Sequence, residues 1–406
     1  MNTVLYLSYD GMTDPLGQSQ VLPYLRGLAE HGYKIHLVSY EKQDKFKKHR
    51  AHIQKICDAA GITWHPQDYV VGGSILTTIR QVRKMRKIAF YLHDKHNFSI
   101  VHCRSYIAAL AGLRLKRKVG TKFIFDMRGF WADERVDGGL WSLKNPVYKT
   151  IYNYFKRKEV QFFKESDCTI SLTWNGKNEI ESWKSLSGNL PKIEVIPCCV
   201  DLKLFDPNSI SEYQRDALKS QLGIAKEDYI LGYVGSIGTW YMLSEMLDYF
   251  KVLQSEENNA KFLFVTGEKP EFIIEKAQEK EIKKEDLIIT SVLHNEVPIH
   301  VSLFSKSIFF IRSTFSKKAS SPTKQGEIMA MGIPLICNAG VGDTDEIVLK
   351  YHSGKVIDTF TDDTYRAAIQ NKEVFDPIKI SEGAKTYFSL DEGVKRYLHV
   401  YKSVHE

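Results

Sequence analysis

Within Ser321-Pro322-Thr323-Lys324-Gln325-Gly326-Glu327 stand a serine, a proline, a cation and a carboxylate at spacings that can do chemistry. Serine as N-cap followed by proline at the first helical position predicts a helix start at Ser321. Such a start exposes unpaired N–H groups and the positive end of the helix dipole, which together attract an anion. Lys324 and Glu327 are three residues apart and share one helix face. The face would set a cation beside a phosphate and a carboxylate farther along, able to accept hydrogen bonds from a ribose diol. A nucleoside diphosphate offers both groups, although a capped surface helix with a solvated Lys–Glu pair has the same spacing. Three further stretches carry chemistry-bearing residues. Gly232-Tyr-Val-Gly235-Ser236-Ile-Gly238 is a Gly-x-x-Gly loop after an apolar run, which by spacing alone is also an ordinary turn. In Asp14-Pro-Leu-Gly17-Gln18-Ser19-Gln20, Gly17 permits close backbone approach, while Gln18 and Gln20 bring neutral hydrogen-bonding groups to a helix start. Asp126-Met-Arg128-Gly-Phe-Trp131 follows a strand at its C-terminal end, the edge at which open α/β sheets hold ligands.

The elements that must position these residues alternate. Val4–Ser8 reads as a strand, the segment from Val21 to Leu28 as a helix, and Lys34–Tyr40 as a second strand, so the chain opens on a βαβ unit and a parallel sheet. Strands are expected at Ile100–Cys103, Lys122–Asp126 and Cys168–Leu172. After an irregular, proline-marked stretch near Val195 a fresh series is expected at Tyr229–Tyr233, Lys261–Thr266, Leu287–Thr290, Ser307–Ile311 and Ile333–Cys337. The tail shows no further strand. It carries Ser389-Leu-Asp-Glu392, which fits a capping box, and Val394, Tyr397, Leu398 and Tyr401 at helical spacing. The expected domains are residues 1–194, residues 195–385, and a terminal helix over residues 386–406 that returns to the first.

At 406 residues the chain is too long for a single small module, and 43% hydrophobic with 26% charged residues is ordinary globular composition. A formal charge of +7 is mild for this length, so no nucleic-acid partner is called for. The six cysteines show no C-x-x-C spacing, and the histidines, His102 included, lack the paired spacing of zinc ligands. The opening MNTVLYLSYDG lacks a basic region before an apolar one, and no eighteen apolar residues run without charge, so a cytoplasmic protein is expected, with the inner face of a membrane as a place of contact. The contact would be Ile75–Phe90, where Leu76, Ile79, Val82, Met85 and Ile88 alternate with Arg80, Arg83, Lys84, Arg86 and Lys87. That is the pattern of a helix with one face in the core and a solvated basic face, and also of a basic amphipathic helix suited to an anionic bilayer, the secondary reading.

Ser321, Pro322, Lys324, Glu327, Met329, Ala330, Gly332, Pro334 and Ile336 resemble the donor-binding signature of retaining family-4 (group 1) glycosyltransferases of the GT-B fold. Val195-Ile-Pro-Cys198-Cys199-Val-Asp-Leu-Lys-Leu-Phe205 resembles the family's hinge-side segment, with two cysteines in place of Asn-Gly, and Gly232–Gly238 resembles its C-terminal phosphate loop. The resemblance covers nearly the whole chain. Ala319 stands where the more common form has a first glutamate. Asp343-Thr-Asp345 looks like a metal motif of another glycosyltransferase fold, but it falls in this family's Gly-Gly loop before Glu346-Ile-Val, where a loop role is expected.

The resemblance implies two Rossmann-like domains facing a central cleft. It implies transfer of a hexose from a nucleotide diphosphate sugar, UDP before GDP, to a hydroxyl of a glycan or lipid-linked saccharide. The configuration would be retained, with no metal and no cofactor besides the donor substrate, in polysaccharide or glycoconjugate synthesis. The implied catalytic group is Lys324, Arg128 and Asp126. Donor binding is implied for Glu327, Ser321, Thr323, Arg312, Gly235, Ser236 and Gly17, with Lys317 and Lys318 as further candidates for pyrophosphate charge. Gln18, Gln20 and Trp131 are implied on the acceptor side. A nucleotide-sugar epimerase has the same two-domain frame and stays open, followed by a two-domain sugar-binding protein. A dinucleotide dehydrogenase is disfavoured because no Gly-x-Gly-x-x-Gly follows the first strand.

Overall fold

The computed structural model describes residues 3–72, 74–371 and 373–405. By internal contacts the chain divides into two units. One comprises residues 1–197, 318–320 and 390–406, the other residues 198–317 and 321–389.

The first unit is built on strands β1 (Thr3–Ser8), β2 (Lys34–Glu41), β3 (Thr63–Asp68), β4 (Ile100–Arg104), β5 (Lys122–Asp126), β6 (Cys168–Ser171) and β7 (Ile193–Val195). They form one sheet in the order β3-β2-β1-β4-β5-β6-β7, with every pairing parallel. Val4 is in register with Ile35 on one side and Ile100 on the other. Central parallel strands are covered by helices on both faces, which is why Val4, Leu5, Leu7, Ile100 and Val101 are all fully buried. The chain order reverses between β1 and β4, and at such a switch point the connections leave to opposite faces and open a crevice beyond the strand ends. The helix Leu390–Ser403 packs on the helix Leu22–Glu30 of this unit, with Tyr24 and Tyr397 edge to face at 5.2 Å. Val394, Tyr397, Leu398 and Tyr401 are its buried stripe.

The second unit repeats the plan with β8 (Tyr229–Val234), β9 (Ala260–Val265), β10 (Leu287–Thr290), β11 (Lys306–Phe309), β12 (Leu335–Asn338) and β13 (Gly354–Ile357). The order is β10-β9-β8-β11-β12-β13, again parallel throughout, with its reversal between β8 and β11. Both sheets therefore have the strand order of a dinucleotide-type Rossmann domain.

The structure departs from the sequence reading in several elements. Strands β3, β7 and β13 were not expected, while the tail carries helix and no strand, as expected. β3 has the sequence TWHPQD and lies at the sheet edge, where proline is tolerated and apolar alternation is not required. The basic helix extends over Ile75–His96. It buries Val82, Met85, Ala89 and Leu92 but leaves Ile75, Leu76 and Ile79 exposed. No helix among the described residues is long and apolar enough to cross a membrane.

Candidate functional site

The helix carrying the Lys–Glu pair spans Thr323–Ala330, one residue later than expected, with Pro322 in the N-cap position. Ser321 does not cap it. Its Oγ accepts instead from the backbone N–H of Cys198 at 3.1 Å, so the serine ties the incoming chain at residue 198 to this helix start. Cys198 and Cys199 are buried, and all six cysteines are free thiols.

Lys324 points from this helix under the end of β8. Its side chain is 7% exposed, its Nζ donates to the Tyr233 hydroxyl at 2.8 Å, and the same ammonium lies 3.6 Å from the Tyr241 ring centre and 4.0 Å from that of Tyr233. Among the described residues no carboxylate lies within ion-pair distance of it. Burial drives its pKa well below the ordinary lysine range, and Glu327 offsets this only in part. A buried cation supported by a hydroxyl and two aromatic faces lacks a counter-charge that a bound anion can supply.

Gly235 is why an anion could reach it. It follows β8 with φ +102°, and a Cβ there would lie 3.3 Å from the Lys324 Nζ, so only glycine keeps the backbone bare over the ammonium. The next residue, Ser236, accepts from the Tyr233 hydroxyl through its carbonyl at 2.7 Å, which orients the ring on which Lys324 rests. Glu327, one turn farther along the helix, has a side chain 12% exposed and sits 3.3 Å from Nε2 of His294. That hydrogen bond raises the histidine's pKa, against a smaller effect of burial. His294 is a site residue the sequence reading missed. It lies beyond β10 in a short 3-10 turn, its ring edge-on to Phe205, and only the fold brings it to Glu327.

The other candidates in this unit are less engaged. Thr323 opens the helix, half-buried. The Arg312 side chain is exposed, while its backbone N–H donates to the Trp240 carbonyl at 2.9 Å. Lys317 is buried with its ammonium 3.7 Å from the Trp240 ring centre. Lys318 belongs to the first unit, where it pairs with Glu179 at 2.7 Å, so its charge is already met. Asp343 accepts from Tyr387 at 2.9 Å, and no group of three or more His, Cys, Asp or Glu among the described residues could hold a metal ion.

In the first unit the strand ends at the β1/β4 reversal open onto a cavity of about 1090 Å³. Tyr9 and Asp10 after β1, Tyr40 on β2, Lys42 just beyond it, and Ser105 after β4 line it, together with Trp131, Trp141, Tyr148, Tyr154 and Phe155. Trp131 is held by edge contacts to Trp141 and Phe155 and by the Arg135 guanidinium, 4.9 Å from its ring centre. Below this wall a buried polar cluster fixes the helices. The Tyr106 hydroxyl donates to Glu159, Lys156 pairs with Glu159 and, at 2.7 Å, with Asp133, and Tyr152 donates to Asp133 at 2.8 Å. Burial pushes the Glu159 carboxyl up to about 7, with Lys156 pulling the other way. Gly17 lies in the short helix Pro15–Gln20, where a Cβ would meet the Gly11 carbonyl oxygen at 2.3 Å, so the helix sits directly on the loop after β1. Gln18 donates to the Thr13 carbonyl at 3.3 Å, and Gln20 is buried.

Asp126 ends β5 fully buried. Burial opposes its ionisation, but Arg128, His102 and Arg104 together hold its carboxyl below the usual carboxylate range. Arg128 is 3.8 Å away with a left-handed φ of +59°, a conformation costly for a side chain of this size. His102, beside them, meets Tyr401 at 2.8 Å, and burial lowers its pKa while Asp126 acts the other way.

Comparison with known proteins agrees with both sheets. The family model described as Glycosyltransferase Family 4 matches residues 18–204, and the model described as Glycosyl transferases group 1 matches residues 214–372. No curated protein matches the sequence. Among solved structures, a sucrose-phosphate synthase from Thermosynechococcus elongatus superposes with a TM-score of 0.70 at 14% identity, over 100% of this chain and 99% of that one. A glycosyltransferase from Rickettsia africae gives 0.71 at 13% identity over 100% and 99%. Anabaena HepE, in complex with UDP and glucose, gives 0.68 at 11% identity over 99% and 100%. At such identities the likeness is one of fold.

Proposed function

The chain belongs to the group 1 glycosyltransferases of the GT-B fold, and from that premise we propose that it moves a hexose from a nucleotide diphosphate sugar, UDP favoured, to a hydroxyl of a glycan or lipid-linked saccharide. The observation that carries the donor reading is Lys324, a buried ammonium with no carboxylate within ion-pair distance among the described residues, under the bare backbone of Gly235. The donor's diphosphate supplies the missing counter-charge, and Glu327 accepts from the ribose diol. Transfer breaks the bond from the sugar's anomeric carbon to the phosphate oxygen and forms one to the acceptor oxygen. The acceptor's proton passes to the departing diphosphate on the same face, so configuration is retained. Negative charge grows on the leaving phosphate, and a fixed ammonium in a dry site stabilises it more than water would. No step requires a metal. Asp126 and Arg128 form the buried pair of the first unit nearest this chemistry in character, with Arg128 the member poised by its backbone and Asp126 its anchor.

The acceptor is assigned to the large cavity. Its aromatic walls suit sugar rings and apolar chains, and Ile75 and Ile79, which line it, are exposed together with Leu76 and Val71 beside them. With the basic face of the helix Ile75–His96, this rim suits contact with an anionic bilayer, which fits a lipid-linked acceptor in polysaccharide or glycoconjugate synthesis at the inner membrane face.

A titration panel of UDP-, GDP- and dTDP-sugars tests the donor site. Saturable binding of a UDP-sugar that weakens in Lys324→Ala and Glu327→Ala is expected. Binding of none of them, or undiminished turnover in both variants, would overturn the assignment. Consumption of the donor with no acceptor present, yielding its epimer, would favour an epimerase in its place.

A further inference from the structure

Next to the large cavity, and sharing Arg86 and Leu110 with it, lies a smaller one of about 210 Å³ whose other walls are Leu113, Arg114, Arg117 and Lys158. Its cations come from three helices: Arg86 from Ile75–His96, Arg114 and Arg117 from Ser105–Val119, and Lys158 from Pro146–Glu165. No acid lines it. Among the described residues Arg117 is the member of this set with an ion pair, through a fork to Glu165 whose Nε contact is 2.7 Å. Arg86 donates to the Leu110 carbonyl at 3.4 Å and Lys158 to the Gln161 side chain at 2.9 Å, so two heads are held by neutral acceptors. The crowding is felt electrostatically. Lys158 is pushed below the ordinary lysine range first by partial burial and then by the charges of Arg117 and Arg86, with Glu165 acting against them.

Like charges gathered over the buried leucines Leu110 and Leu113 repel one another more strongly than they would in open water. A bound dianion reverses the sign of that interaction, and arginine forks match the oxygens of a phosphate. We propose that this pocket is a binding site for a phosphate-class anion, separate from the donor site and carried wholly by the first unit. The oxyanion is either the headgroup of an anionic lipid or a free phosphate or phosphomonoester. The proposal does not depend on the glycosyl-transfer reading, because none of its residues belongs to the donor site.

Two arms on the full chain test it. In the first, thermal unfolding is followed with inorganic phosphate against chloride at matched ionic strength, for wild type, Lys324→Met, Arg114→Glu and Lys158→Gln. Phosphate should raise the Tm of wild type and of Lys324→Met by several degrees, and of Arg114→Glu and Lys158→Gln by less than half as much. In the second, the proteins are sedimented with vesicles of phosphatidylglycerol or of phosphatidylcholine. At least a tenfold weaker retention of Arg114→Glu on phosphatidylglycerol identifies the lipid as the source, while equal retention alongside a lost phosphate shift identifies a soluble phosphate. Arg114 is on the surface, and Lys158→Gln removes charge without reversing it, so one of the two variants will report on a folded protein. A phosphate shift that is absent or survives in both variants, together with equal vesicle retention, would overturn the proposal.

Discussion

The hydroxyl of Tyr397, on the helix Leu390–Ser403, donates to Oδ2 of Asp126 at 3.2 Å, joining residues 271 positions apart inside the first unit. The same Oδ2 lies 3.6 Å from His102 Nε2, while Arg128 approaches Oδ1 at 3.8 Å. Tyr397→Phe removes one partner of a buried carboxylate and keeps the ring. It should destabilise the first unit by about 1–3 kcal/mol, the usual effect of leaving a buried polar group short of a hydrogen bond. Denaturant unfolding followed separately in the two units is the measurement. An unchanged midpoint for the first unit, or a loss confined to the second, would show that the hydroxyl does not support Asp126.

Lys324→Met should separate stability from binding. The buried charge has no ion-pair partner among the described residues, so an apolar side chain of similar length should leave the free protein as stable as wild type or more so. Nucleotide binding should weaken by about 2–5 kcal/mol, as for truncation of one partner of a buried charge pair. Calorimetric titration and thermal unfolding on the same preparations check both halves. A variant that loses stability yet binds normally would mean that Lys324 serves the fold.

Proton uptake gives a second view of the same lysine. Its pKa lies below the ordinary value in the free protein, so it is under-protonated relative to the unfolded chain, and stability rises with pH between the depressed and ordinary values. A bound diphosphate pulls that pKa back up. Binding at alkaline pH, where the diphosphate is fully ionised, should therefore take up protons, with a heat that varies with the buffer's ionisation enthalpy. Lys324→Met should abolish the variation, and buffer-independent heats in wild type would contradict the site's electrostatics.

Glu159 sets a pH dependence in the first unit. Its folded value of about 7 exceeds the ordinary 4.5, so the native state binds more protons than the unfolded one between those limits. Its contribution is fully present below pH 4.5 and falls as pH rises through about 7. Glu159→Gln keeps a hydrogen-bonding group that needs no ionisation and should flatten this part of the stability profile. Profiles of equal slope for wild type and variant would remove Glu159 as the cause.

Gly235→Ala places a methyl group 3.3 Å from the Lys324 ammonium at φ +102°. Backbone strain of about 1–3 kcal/mol is expected in the free protein, with donor affinity falling by at least tenfold because the backbone is no longer bare. Full affinity in this variant would mean that phosphate does not approach over residue 235.

The frame was readable wherever a strand is central: Val4–Ser8, Lys122–Asp126 and Tyr229–Tyr233 are apolar because both faces are covered, and they were found nearly to the residue. Edge strands such as β3 escape because one side answers to solvent. Lys324 and Glu327 could be found because their spacing is local. His294 could not, since its approach to Glu327 depends on β10 lying two strands from β8. Ser321 shows a local rule overtaken by tertiary structure: its hydroxyl, free to cap the helix, satisfies the Cys198 amide instead. In the basic helix the two readings divide along its length: Val82, Met85 and Ala89 are buried, while Ile75, Leu76 and Ile79 are exposed.

The seating of Tyr397 and Tyr401 against Asp126 and His102 also bears on the order in which the molecule is made. All seven strands of the first sheet have been synthesised by residue 195, yet the hydroxyl that meets His102 arrives 299 residues after that histidine. On a ribosome adding about 5–20 residues per second, the earliest unit spends tens of seconds with the groove for its last helix unfilled, while the second unit is synthesised. The surface exposed in that interval, the apolar side of Tyr24 and the strand ends at His102, is where a chaperone would have most to gain by binding. Residues 198–317 and 321–389 are therefore all made before the first unit receives its final helix.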